Sequence, residues 1–172
     1  MFKNKWLWSG FILIVCLGIG GGIYMSREND KRESLAIQKD LANYVYNNYV
    51  LYTFDKNQET ELDKKFDGGK GNMTYRQYSD ELNRIAQYSN VEKIEFTGYS
   101  ITPMNTVKIH FTINDVYKQN VLLDTISAET NKQLYRIGTN QGDGPYYLDD
   151  KKETTGEIMP NKNIVYYEGA VK

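Results

Sequence analysis

No charged side chain interrupts the sequence from Trp6 to Ser26, and this run constrains the chain more than any other feature. Within it, Phe11 to Leu17 is apolar without a break. A single Lys or Asp at mid-bilayer costs ~2.5–3.5 kcal/mol on insertion scales, so a charge-free stretch of this length points to lipid. A helix rises ~1.5 Å per residue, which makes Trp6–Tyr24 roughly 28 Å long, close to the hydrocarbon thickness. Trp6, Trp8 and Tyr24 stand at its two ends, where amphipathic rings favour the headgroup layer. Residues 1–26 are therefore expected to be a membrane anchor (or an uncleaved signal), held in lipid through Trp6–Ser26.

Two other uses of the segment stay open. A cleaved leader needs a basic start and small residues at the cut, which Lys3, Lys5 and the glycines Gly18, Gly20 and Gly22 supply. A lipid-modified Cys16 would want a small residue before it, where the chain has Val15. Orientation is read from the cations. Lys3 and Lys5 precede the run, while Arg27, Lys31, Arg32 and Lys39 follow it, a count that does not favour export of the C-terminal part. A short basic leader before an apolar stretch resembles an export signal, however, and places residues 27–172 outside the cytoplasm.

Those residues are enough for an extracytoplasmic domain with a sizeable core. The chain carries 21 Lys and Arg against 22 Asp and Glu. With Lys3 and Lys5 ahead of the apolar run, the remainder is more acidic than the overall net charge of −1. That balance argues against nucleic acid, which demands a basic face. The single cysteine lies in the apolar run, so no disulfide or thiol chemistry is expected beyond it.

Periodicity predicts an α+β fold: a transmembrane helix, then two helices packed on an antiparallel β-meander. Ile37, Leu41, Val45, Tyr49 and Tyr52 recur at helical spacing. Residues 55–72 are polar and glycine-bearing, and are expected to form a mobile loop. Thr74 and Gln77 then make a capping box, followed by the stripe Tyr75, Tyr78, Leu82, Ile85 and Ala86, with Ser89-Asn90 ending the helix. Strand alternation begins at Ile94 and Phe96, with a bulge expected at Gly98. Thr102 to Asn105 should turn the chain into Val107, Ile109, Phe111 and Ile113, and Asn114-Asp115 into a strand holding Val121 and Leu123. Leu134–Ile137, Pro145–Leu148 and Ile164–Tyr167 are shorter strand candidates.

Catalytic and metal signals are weak. His110 is the only histidine, which rules out a two-histidine metal site. Asp55 to Glu59 begins like a calcium loop, but Thr60 and Phe66 replace its glycine and its glutamate. No metal or cofactor is expected. Asp143, Asp149, Asp150, Glu153 and Glu157 gather near two tyrosines and leave open an envelope glycan hydrolase with paired carboxylates. The positive signal is tyrosine, which occurs 15 times. Consecutive strand residues face opposite ways, so Tyr146-Tyr147 and Tyr166-Tyr167 must each send a ring away from one core. Tyrosine gives large contact area at low entropic cost, which suits recognition of another protein. The expectation is thus a non-enzymatic binding protein, an immunity-type protein being one form, with Tyr146, Tyr147, Tyr166 and Tyr167 as its binding residues.

The stretch Asn90–Met104 with Thr106–Asn114 carries Phe96-Thr97, Pro103-Met104 and Ile113-Asn114. It resembles a family of small membrane-anchored or secreted proteins of Gram-positive bacteria. That resemblance implies location and fold; the family has no assigned activity to carry over.

Overall fold

The computed structural model describes residues 30–130, 132–139 and 144–169. The expectations for Trp6–Ser26, Cys16 and Asp143 lie outside them. Among the described residues, no helix is long and apolar enough to cross a membrane.

The chain is α+β, with three helices and two sheets. Helix α1 occupies 30–48 and buries Gln38, Leu41, Ala42 and Val45 against the sheets. It stops four residues earlier than helical spacing suggests, because Tyr49–Thr53 is strand β1. Tyr49 fits both periods, four residues after Val45 and two before Leu51, but Tyr-Val-Leu-Tyr-Thr is rich in aromatic and β-branched residues that favour a pleated surface. Pairing on both sides, with Gln87–Asn90 and Tyr146–Asp150, then decides for strand.

The segment expected to be a mobile loop is helical. Helix α2 spans Lys56–Phe66, and a 3-10 turn follows at Asp67–Gly69. Asp55 caps α2 by accepting from the N–H groups of Asn57 and Gln58 at 3.0 and 3.1 Å. Glu59 in its first turn and Lys64 and Lys65 in its last oppose the helix dipole. These end effects hold a helix whose only buried residue is Leu62. Helix α3, Tyr75–Ile85, starts at the expected capping box: the Thr74 N–H donates to Gln77 Oε1 at 2.9 Å, and the Gln77 N–H to Thr74 Oγ1 at 3.3 Å. Its stripe does not enter the main core. Tyr75 is 74% exposed, and Phe66 of α2 instead stacks on Tyr78 at 4.5 Å, joining the two helices as a hairpin. The helix ends at Ile85 rather than at Ser89-Asn90, because Gln87–Asn90 is strand β2, paired with β1.

The expected meander forms a four-stranded sheet. Strands β3 (Ile94–Ile101), β4 (Val107–Ile113) and β5 (Tyr117–Leu122) are antiparallel neighbours. The register shifts between Phe96 and Gly98, where the bulge was expected, and Gly98 has φ 153°. Asn114 and Asp115 have φ 49° and 61°, the left-handed pair that a tight turn requires. The fourth strand departs from a meander: β7, Ile164–Val165, runs parallel to β3. Leu134–Ile137 forms no strand: the isolated bridge of Ile126 with Gln133 precedes it, and Tyr135 enters the core, its hydroxyl donating to Asp40 Oδ2 of α1 at 2.9 Å.

Strand β6 (Tyr146–Asp150) completes the second sheet, ordered β2-β1-β6. The Asn114 side chain ties the two sheets together. Its Oδ1 accepts from the N–H groups of Glu92 and Lys93 at 2.8 and 3.0 Å, while Nδ2 donates to the Asn90 carbonyl at 2.8 Å. One core lies between α1 and the inner faces, built on Leu41, Leu51, Ile94, Ile109, Phe111, Leu148 and Met159. Carboxamides of α1 hold the C-terminal segment over it. Asn47 donates to the Glu157 carbonyl, Asn43 accepts from the Met159 N–H, and Gln38 bonds both the N–H and the C=O of Tyr167.

Candidate functional site

Strand alternation gives the three-stranded sheet one buried and one open face. Leu51 and Leu148, paired across β1 and β6, are buried in the core. The neighbours of each in its own strand must face the other way. Register therefore aligns Tyr88, Tyr52 and Tyr147 in one row across β2, β1 and β6. Asn90, Val50 and Asp149 form the next row on the same face.

The rings touch along the row. Tyr52 stacks on Tyr147 with centroids 5.3 Å apart and an interplanar angle of 25°, and meets Tyr88 at 5.6 Å and 40°. Phe54 adds a fourth ring, 5.4 Å from Tyr52 and 5.8 Å from Tyr147. Contacts of this kind contribute ~0.5–1.5 kcal/mol beyond area burial, so the row is ordered before any partner arrives. Gly144 helps to place it. With φ 73°, its missing Cβ would stand 2.7 Å from the Tyr147 hydroxyl, so a side chain there would displace the ring. Tyr88 remains 53% exposed at the free edge of the sheet.

An open groove of about 780 Å³ continues from Tyr88 along this face. It is lined by Val50, Tyr88 and Asp149 of the sheet, by Asn83 of α3, and by Lys152 and Glu153. Both oxygens of Asp149 are engaged: Oδ1 accepts from the Asp150 N–H at 2.8 Å and Oδ2 from the Tyr88 hydroxyl at 3.4 Å. The phenols stay protonated. Burial, reinforced by Asp149 and the neighbouring rings, pushes Tyr52 up to about 12. Burial and then Asp149 raise Tyr88. Tyr78, on the adjoining helix, is pushed up to about 12, first by its hydrogen bond to Asp63. At neutral pH these groups are hydrogen-bonding phenols on apolar rings, suited to contact rather than to proton abstraction.

Of the four tyrosines singled out in sequence, Tyr147 alone joins this row. Tyr146, its neighbour, packs against the core, as alternation requires. Tyr166 and Tyr167 also pack against the core, beside the other sheet. The Tyr167 ring meets Tyr99 edge-on at 5.8 Å, and its peptide is held by Gln38. Tyr146-Tyr147 thus lies on β6, whereas Tyr166-Tyr167 follows the end of β7 at Val165. Helical periodicity puts both Tyr52 and Tyr88 on helices, and no sequence pattern singles out Phe54. The strand composition of Tyr49–Thr53 was the available signal.

The carboxylates do not converge as a pair. Asp149 and Asp150 are consecutive on β6 and face opposite ways. Glu157 meets α1 through its main-chain carbonyl. His110 lies on the outer face of the four-stranded sheet, with Nε2 2.7 Å from Ser100 Oγ. Among the described residues, no group of three or more His, Cys, Asp or Glu side chains is placed to hold a metal ion. No family model matches the chain, and neither the curated proteins nor the solved structures give a match.

Proposed function

We propose that the chain is a single-pass membrane-anchored protein whose extracytoplasmic domain captures another protein on the Tyr88–Tyr52–Tyr147 face. The observation that carries this reading is the ring row itself, ordered by its own contacts and open along one edge. Rigid aromatic anchors lose little entropy on association and dominate many interfaces. Neutral phenols with Asn83, Asn90 and Lys152 nearby supply donors around that apolar centre. An immunity-type protein that holds a toxin outside the membrane is one form of this function. The charge-free run Trp6–Ser26 supports the anchor, and the resemblance to small anchored or secreted Gram-positive proteins agrees with that location.

The test is position-specific photocrosslinking of the full chain in living cells. A photoreactive residue at Tyr88 should join one discrete partner, while the same residue at Lys118, on the other sheet, should not. Tyr52→Ala should abolish that crosslink in chains that remain folded. Equal crosslinking from both positions, or none from Tyr88, removes the basis for the site.

A second reading rests on Asp149 and Glu153, which both line the groove, as the paired carboxylates of a glycan hydrolase. It requires cleavage of purified cell-wall glycan that Asp149→Asn abolishes.

A further inference from the structure

Strand β3 runs toward the start of α1. Its Tyr99 hydroxyl lies 2.6 Å from Ser34 Oγ and accepts from Gln38 Nε2 at 2.7 Å. The parallel C-terminal segment confirms the direction: past β7 it reaches Tyr167 at Gln38 and then Glu168, paired with Lys31 at 2.9 Å. From Tyr99, two residues at ~3.3 Å each carry β3 about 7 Å further to Ile101. From Ser34, four residues at ~1.5 Å each lead about 6 Å back to Asp30. The β3–β4 turn, closed by the Asn105 N–H donating to the Thr102 carbonyl at 2.9 Å, therefore stands level with the start of α1 or beyond it. The charge-free run ends at Ser26, four residues before Asp30.

That tip exposes large apolar side chains beside its polar turn residues Thr102, Asn105 and Thr106. Met104 is 90% exposed, Ile101 49% and Leu122, paired with Lys108 at the same end of the sheet, 38%. Scattered exposed apolar residues are ordinary. Three at the end where the chain leaves its apolar run have a partner within reach. Arg32, exposed on the first described turn of α1, adds a cation suited to anionic headgroups.

We propose that the β3–β4 tip is a second membrane contact, with Met104, Ile101 and Leu122 seated in the interfacial layer of the bilayer that holds Trp6–Ser26. This rests on the reading of Trp6–Ser26 as an anchor. The contact fixes the domain's tilt, and with it the direction in which the Tyr88–Tyr52–Tyr147 face is presented.

The test uses the full chain carrying Cys16→Ser, reconstituted into phosphatidylethanolamine–phosphatidylglycerol vesicles with nitroxide on the acyl chains. An environment-sensitive fluorophore is attached at Met104→Cys or, as a control, at Val116→Cys. Val116 is also exposed, but lies at the opposite end of β4. Quenching at position 104 should be several-fold stronger than at 116, and Ile101→Asp should reduce it. In chains that float with vesicles and give native circular dichroism, quenching at 104 no stronger than at 116 overturns the tip contact and leaves the anchor intact. Chains that do not float overturn both.

Discussion

Gln38→Leu should weaken the fold far more than the loss of one surface contact would. Gln38 is the only fully buried polar residue described in the structure. Its Nε2 donates to the Tyr167 carbonyl at 2.9 Å and the Tyr99 hydroxyl at 2.7 Å, while Oε1 accepts from the Tyr167 N–H at 2.9 Å. Leucine fills similar volume but offers no polar atom, so both main-chain groups of Tyr167 lose their partner. Each orphaned buried group costs ~1–3 kcal/mol, and Tyr99 keeps Ser34, so the loss should be about 2–6 kcal/mol. Urea unfolding of a chain beginning at Asn29, followed by far-UV circular dichroism, measures it. Amide exchange at Tyr167 should accelerate in parallel as the C-terminal segment loosens. Lys31→Ala, which breaks an exposed pair at the same segment, should cost well under ~1 kcal/mol. A Gln38→Leu loss below ~1 kcal/mol, with Tyr167 exchange unchanged, would refute the carboxamide clamp.

Phe111, buried and 5.9 Å from Phe96, should cost ~3–5 kcal/mol when replaced by alanine, and the same urea titration reads it. A much smaller loss would mean that β4 is out of register. Alkaline pH should destabilise the domain. Tyr52 titrates at about 12 in the fold against 10.0 when free, so the unfolded chain gives up this proton first. Its contribution is intact below pH 10 and is lost as pH rises toward 12, which phenolate absorbance and circular dichroism recorded together would show. Phenolate formation well below pH 10, with the fold intact, would contradict the burial of the row.

The sequence by itself determined the features whose energetics are local. The Thr74–Gln77 capping box, the Asn114-Asp115 turn, the bulge at Gly98 and the alternation of β4 involve residues a few positions apart, and each stands where the pattern puts it. Helix α2 has local signals in Asp55, Glu59 and Lys64–Lys65, but its polar composition and the glycines after it fit a loop equally well. Only the tertiary structure decided the sheet β2-β1-β6. Tyr49 satisfies helical spacing with Val45 as well as it satisfies strand alternation with Leu51. The choice fell to hydrogen bonds with Gln87–Asn90 and Tyr146–Asp150, segments remote in the chain. The aromatic row follows from that pairing, since a tyrosine's face is set by register and register is a property of two strands at once.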